Sequence, residues 1–151
     1  MDRNSRNEYL RQCLQTIETH GCFVQYVEGE KTELPFAYSI GLTRQQQPEI
    51  ILIGRFEPQI MHKLIMSAVM SGETFTDWSV SRRVITKYPV MFREVKPLCA
   101  AKKVHIAIHL YQEIRLVQMF MPDNSGRFPW QPECAAEFQR QACLEYSTER
   151  C

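Results

Sequence analysis

Two stretches of the chain repeat apolar residues at helical spacing. In the first, Ser5 with Glu8 forms a capping box that begins a helix, and Gly21 supplies the left-handed residue that commonly ends one. This pattern predicts a helix over residues 6–20. The second stretch begins with a proline suited to a first helical position and predicts a helix over residues 58–71. The apolar stripe of the first helix consists of Leu10, Cys13, Leu14 and Ile17.

Other apolar segments are short and rich in β-branched or aromatic residues, which is typical of strands. Residues 36–42 alternate: the even positions are large and the odd positions small. A pleated strand places these two sets on opposite faces. We expect the large face to pack a core and the small face, formed by Ala37, Ser39 and Gly41, to lie against a helix or a ligand, with the helix favoured. Further strands are predicted at residues 22–27, 49–53, 88–95 and 114–121, with a weaker one at 80–86.

The order of these elements predicts an α+β fold. Three strands in succession have loops too short for crossover helices, which favours an antiparallel meander. We expect a single domain over residues 1–151, with an antiparallel sheet of about five to six strands, partly barrel-like, flanked by two main helices. Residues 102–112 fit either a helix or a strand, residues 133–146 fit a short helix, and residues 147–151 fit a frayed tail.

Composition narrows the possible function classes. Hydrophobic residues make up 44% of the chain and charged residues 23%, which excludes disorder for most of it. Eighteen basic and seventeen acidic side chains leave a net charge of +1, so no nucleic-acid or membrane partner is predicted, while a local basic groove is compatible. The first residues lack the apolar core of a secretory signal, and we expect a cytoplasmic protein with its six cysteines reduced.

Few side chains form a catalytic, metal or cofactor pattern. The chain has no Rossmann, phosphate-loop or nucleophile-elbow motif, so no cofactor is predicted. His105 and His109 lie four residues apart and share one face of a helix, but spacing fixes no third ligand. We interpret them as surface histidines and predict no metal site. His20 and Cys22 flank a glycine without the geometry of a nucleophile pair.

The strongest candidate site follows the last strand. Residues 122–126 have the Pro-Asp-Asn-Ser-Gly composition of a turn. The turn does not require Arg127, a planar cation suited to carboxylate or phosphate, or Trp130, a large stacking surface. An anionic planar ligand such as a nucleotide would fit this pair. The favoured alternative is structural: Trp130 closes one end of the core, and Arg127 pairs with Glu49 or Asp123.

Five stretches of the chain together resemble a known family. They are His20-Gly21, Pro35-Phe36-Ala37-Tyr38-Ser39-Ile40-Gly41-Leu42, Pro48-Glu49-Ile50, Gly72-x-x-Phe75 and Pro122-Asp123-x-x-Gly126-Arg127-Phe128-Pro129-Trp130. The combination resembles the bacterial domain of unknown function 4262 family over nearly the whole chain. Two positions depart from the family pattern: Cys22 stands where members usually have Trp, and Gln141-Ala142-Cys143-Leu144 stands where they tend to have Gln-Pro-Leu-Leu. The resemblance implies a set of candidate site positions rather than a reaction: Tyr38, Ser39, Glu49, Asp123, Arg127 and Trp130.

Two functions follow as hypotheses from different classes. In the first, the domain binds an anionic or nucleotide-like small molecule between the end of the second strand and the turn at residues 122–130. Arg127 would hold the anion, Trp130 and Tyr38 would stack, and one of the two acids, Glu49 or Asp123, would transfer a proton. In the second, the domain is a noncatalytic protein-interaction or regulatory module, and the methionines around the second helix offer an adaptable apolar surface. The residues alone specify no reaction, so the sequence does not decide whether the protein is an enzyme.

Overall fold

A six-stranded mixed sheet forms the centre of the molecule, in a computed structural model that describes residues 2–136, 141, 144 and 146. In chain order the strands are β1 (Phe23–Val27), β2 (Phe36–Ile40), β3 (Glu49–Ile53), β4 (Val80–Ser81), β5 (Val90–Glu94) and β6 (Leu116–Phe120). Their order across the sheet is β1-β2-β3-β6-β5-β4. Each pair is antiparallel except β3 with β6, which is parallel. The α+β class and the β1–β2–β3 meander are confirmed, and the sheet is open, with β1 and β4 at its edges, rather than partly barrel-like.

Helices cover both faces of this sheet. They are α1 (Arg3–His20), α2 (Pro58–Met70), α3 (Pro97–Ala101) and α4 (His105–Tyr111), together with a short 3-10 helix, Leu42–Gln45. The two main helices are confirmed, and the ambiguous stretch at residues 102–112 contains a helix rather than a strand. Among the residues that the structure describes, no helix is both long and apolar enough to cross a bilayer.

The alternation along β2 separates two hydrophobic cores. Its small face contributes Ala37 to a core with Met61, Ile65 and Ala68 of α2. The large face contributes Phe36, Tyr38 and Ile40 to a second core with α1, α3 and α4. The prediction that a helix lies on the small face is therefore confirmed. All five residues of β2 are buried, as expected of a strand that lies inside the sheet and not at its edge.

Several boundaries differ from those predicted. The first helix begins at Arg3, not at residue 6, because Asp2 is the N-cap and its carboxylate accepts from the Ser5 N–H at 2.7 Å. The predicted capping box is therefore wrong, while the Gly21 stop is confirmed, with φ of 85°. Leu14 of the predicted stripe is 43% exposed. The weak strand at 80–86 is reduced to two residues. Half of the residues in the predicted helix at 133–146 and the whole tail at 147–151 lie outside the described residues.

Candidate functional site

The Glu49 carboxylate lies buried at the start of β3 and is bound by the loop that follows β2. It accepts hydrogen bonds from Ser39 Oγ at 2.8 Å and Thr43 Oγ1 at 2.6 Å, and from the N–H groups of Gly41, Leu42 and Thr43 at 3.2, 3.2 and 3.0 Å. Burial raises the pKa of this carboxyl above its usual value, against the opposing effect of these hydrogen bonds. Five donors occupy the acceptor capacity of one carboxylate. Glu49 therefore holds the loop together.

The Asp123 carboxylate likewise holds together the turn that follows β6. One carboxylate oxygen accepts from the N–H groups of Ser125 and Arg127, each at 2.9 Å, and the other accepts from Ala135 N–H at 2.9 Å. These backbone donors, Arg127 foremost, hold the pKa of Asp123 below its usual value. Gly126 has φ of 81°, which favours glycine and completes the predicted turn.

The cation and the indole of the turn have partners within the turn and the adjacent core. Arg127 Nη1 donates to the Glu133 carbonyl at 3.0 Å, and Nη2 lies 3.5 Å from the Glu133 carboxylate. Arg127 therefore pairs with a carboxylate, as the structural alternative expected, but the partner is Glu133, which the turn brings back to the guanidinium, and not Glu49 or Asp123. The half-buried Trp130 ring stacks on Phe128 at 5.3 Å and meets Phe120 edge-on at 5.1 Å.

The six candidate positions occupy three separate places. Ser39 and Glu49 meet at the loop, whereas Tyr38 faces the opposite core, where its hydroxyl accepts from Ile106 N–H at 3.3 Å. Glu49 pairs with Leu116 at the start of β6, and because β3 and β6 are parallel, the turn at Asp123 lies seven residues further along. That separation is about 20 Å along an extended chain. The expected common hollow is therefore not formed.

Tyr38 instead lies on the floor of a groove between α1 and α4, called here the α1–α4 groove. Its floor comes from the paired strands β1 and β2, where Gln25 stands opposite Tyr38 and Val27 opposite Phe36. Two adjoining cavities of about 470 and 450 Å³ form the groove, a size typical of ligand pockets. Both cavities are lined by Gln25, His105 and Ile106. The first also touches Arg6, Tyr9, Leu10 and His109, and the second touches Val27, Glu33, Phe36, Tyr38, Lys102 and Lys103.

Charge around this groove is uneven. Among the residues that the structure describes, five basic side chains line it, from α1, α4 and the α3–α4 connection, against the single acid Glu33. The imidazole of His105 is oriented by its Nε2, which lies 2.9 Å from the Lys102 carbonyl oxygen and must donate to it, because a carbonyl only accepts. Lys103 Nζ lies 5.1 Å from the centroid of the Phe36 ring.

Hydrogen bonds fix the polar groups on the floor of the groove. Gln25 accepts from the Tyr9 hydroxyl and donates through Nε2 to the Tyr26 carbonyl at 2.9 Å. Burial raises the pKa of Tyr38 to about 12, so its phenol remains protonated at neutral pH. The groove therefore combines a fixed, mostly apolar floor with basic side chains around it.

Cysteine and metal chemistry have little support in the described part of the chain. Burial, together with the charge of Glu49, raises the pKa of the Cys22 thiol to about 12, so this thiol is protonated and unreactive at neutral pH. The four described cysteines Cys13, Cys22, Cys99 and Cys134 are free thiols. Over residues 2–136, 141, 144 and 146, no three His, Cys, Asp or Glu side chains cluster as a metal site would require. His105 and His109 are exposed, as expected of surface histidines.

Comparison with models of known protein families shows to which family the chain is related. A family model described as Domain of unknown function (DUF4262) matches residues 16–135. The chain belongs to this family. All six candidate positions of this DUF4262 domain fall within the match, as do the groove floor and α4, whereas Arg6, Tyr9 and Leu10 precede it. Neither the curated proteins nor the solved structures contain a match to the domain.

Sequence reasoning missed most of the groove in this DUF4262 domain. The available signal was the pair His105 and His109, whose spacing predicted a shared face but which were interpreted as surface histidines and not as part of a binding site. The adjacent Lys102 and Lys103 add two cations beside that face. Together they indicate a basic surface, although not the strands that form its floor.

Proposed function

We propose that this DUF4262 domain binds a small anionic molecule in the α1–α4 groove. The observation that carries the proposal is the unequal charge of the groove. In the described part of the chain, one carboxylate lines it against five basic side chains: Arg6, Lys102, Lys103, His105 and His109. The chain as a whole carries only +1, so this cluster is a local feature rather than a consequence of composition. Basic side chains around an apolar cavity favour an anion that also has apolar surface.

The groove supports this function better than the turn at residues 122–130 does. Arg127 is in contact with Glu133, and Asp123 is hydrogen-bonded by three N–H groups of its own loop. A ligand at the turn would have to compete with these contacts. In the groove, His105 is already oriented by a backbone carbonyl, which reduces the entropy lost when a ligand binds.

A fluorescence titration with anilinonaphthalene sulfonate, an aromatic anion, tests the proposal. We expect saturable binding by the wild type, weakened roughly fivefold in the double variant Arg6→Gln/His109→Gln, because the Arg6 charge and the His109 ring at the rim each contribute modestly to affinity. Phenylnaphthylamine has the same rings without the sulfonate and should bind more weakly to the wild type. Circular dichroism checks that each variant is folded.

Two further variants locate the site. Arg11→Gln removes an exposed cation from α1 that does not line the groove, so it should leave the dissociation constant unchanged. Arg127→Gln should also leave it unchanged. If Arg127→Gln weakens binding and Arg6→Gln/His109→Gln does not, the anion binds at the turn and the proposal is wrong.

A further inference from the structure

We infer that the α1–α4 groove takes an elongated amphiphilic carboxylate, with its head group between Arg6 and His109 and its alkyl chain along the β1–β2 floor. The inference rests on the proposed function and adds the shape and orientation of the ligand. Three observations support it: the groove has two compartments, its basic side chains lie at the rim, and the one acid that lines it among the described residues lies in the second compartment.

The two compartments lie end to end along the strands. Gln25 and Tyr38 form one cross-strand pair, and Val27 and Phe36 form the next pair on the same face. Successive positions on one face of a strand are about 7 Å apart. The first compartment reaches Gln25, and the second continues over Val27 and Phe36. A ligand that fills both must therefore be longer than it is wide.

Charged and apolar groups are separated by depth in the groove. Arg6, His105 and His109 are exposed, whereas Phe36 and Tyr38 are buried beneath them. An amphiphile matches this arrangement, because its head group stays near water while its alkyl chain covers the floor. A nucleotide carries polar groups along its whole length, and those that reached Val27 and Phe36 would lose water without compensation from these apolar side chains.

The position of Glu33 sets the orientation. This carboxylate lines the second compartment, and the side chains lining the first include no acid among the described residues. At the second compartment Glu33 repels a ligand carboxylate and offsets one of the two lysines there, Lys102 and Lys103. At the first compartment the carboxylate meets the Arg6 charge with no acid beside it among the described residues. Lys103 in the second compartment already lies over the Phe36 ring. The head group therefore belongs in the first compartment.

Isothermal titration calorimetry with hexanoate, octanoate and decanoate, below their micelle concentrations, tests whether the alkyl chain contributes to binding. We expect each added pair of methylenes to tighten binding about tenfold until the floor is covered, since burying a methylene contributes about 0.8 kcal/mol. Decanol has the chain without the charge and should bind more weakly than decanoate.

Two single variants separate the head group from the chain. Arg6→Gln should weaken binding of all three carboxylates by a similar factor and preserve the gain with length. Val27→Ser should weaken decanoate more than hexanoate and so flatten that gain. Val80→Ser, at a half-exposed position on the opposite edge strand, serves as the matched control and should change neither property.

The outcomes distinguish this inference from the proposed function. One outcome is that affinity does not rise with the length of the alkyl chain, while anilinonaphthalene sulfonate binding still depends on Arg6 and His109. In that case the inference of an amphiphilic ligand is wrong and the proposal of anion binding stands. If affinity rises with chain length but Val27→Ser does not alter that rise, the orientation is wrong. If neither probe responds to Arg6→Gln, both proposals fail.

Discussion

The two buried acids and the basic groove use charge in opposite ways. Glu49 and Asp123 each accept hydrogen bonds from the backbone of a tight loop, so their charge is balanced by groups that belong to the fold. In the α1–α4 groove, five basic side chains of the described residues face open space, with one described acid among them. A carboxylate surrounded by its own loop stabilises the protein, whereas a cation facing a cavity is available to a ligand.

This difference separates the acids of the motif stretches from the cations of the groove in the DUF4262 domain. The stretches that carry the family resemblance contain Glu49 and Asp123, whose hydrogen bonds explain why an acid is needed at each loop. The cations of the groove lie outside those stretches. The residues that are most recognisable in a sequence can therefore be those that stabilise loops rather than those that bind a ligand.

The largest effect is expected at Glu49. Glu49→Ala removes the acceptor of five hydrogen bonds and leaves buried N–H groups at Gly41 and Leu42 unpaired. Each such group costs about 1–3 kcal/mol, so we expect the free energy of unfolding to fall by about 3–5 kcal/mol in urea titrations. Glu49→Gln keeps one oxygen but turns an amide N–H₂ toward donors, and should cost about 2 kcal/mol.

A matched control is the exposed Glu113, which precedes β6. Glu113→Ala should change the free energy of unfolding by less than about 0.5 kcal/mol. An unchanged urea midpoint for Glu49→Ala would mean that the carboxylate does not hold its loop. The proton-transfer role considered from the sequence would then regain support.

An intermediate effect is expected at Trp130. The ring is half-buried and packs on Phe128 and Phe120, so Trp130→Ala should cost about 2 kcal/mol, less than the about 3–5 kcal/mol typical of a fully buried aromatic ring. The dissociation constant of anilinonaphthalene sulfonate should not change. A loss below about 1 kcal/mol accompanied by weaker anion binding would identify the ring as a stacking platform and reverse the comparison between turn and groove.

The sequence predicted those parts of the fold that depend on local chemistry. The Gly21 stop, the alternation in β2 and the turn at residues 122–126 each follow from a few neighbouring residues. The parallel pairing of β3 with β6 does not, because the chain passes through α2, β4, β5, α3 and α4 between them. Helix α4 was ambiguous for a local reason: its N-cap, Val104, has no side-chain hydrogen bond to mark the start.

The candidate site was less predictable than the fold. Ser39 and Glu49 belonged to one set of candidate positions and do meet, but Tyr38 belongs to the opposite face of the sheet, as the alternation itself required. The groove joins side chains from α1, β1, β2 and α4 that share no sequence motif. Only the tertiary arrangement brings Arg6 and His109 to one cavity, so periodicity and spacing could not have identified it.

The smallest effect, and the one that depends on pH, is expected at Asp123. Its pKa is lower in the folded protein than in the unfolded chain because the N–H groups of Arg127, Ala135 and Ser125 stabilise the ionised form. The resulting stabilisation is present above the unfolded-state pKa and is lost as the pH falls through the folded-state pKa. Asp123→Asn should therefore lower the urea midpoint at about pH 7 and lower it by less at about pH 3.

The shape of this pH dependence distinguishes a structural carboxylate from one held ready for a ligand. Asp123→Asn keeps an oxygen that can accept from Ser125 and Arg127, and it loses chiefly the second acceptor, which binds Ala135 N–H. The difference between wild type and variant should shrink steadily with acidification, while anilinonaphthalene sulfonate binding at neutral pH remains the same in both. A difference that does not vary with pH would mean that the loop binds ionised Asp123 no better than the neutral amide of asparagine. The Asp123 carboxylate would then be available to a ligand or substrate.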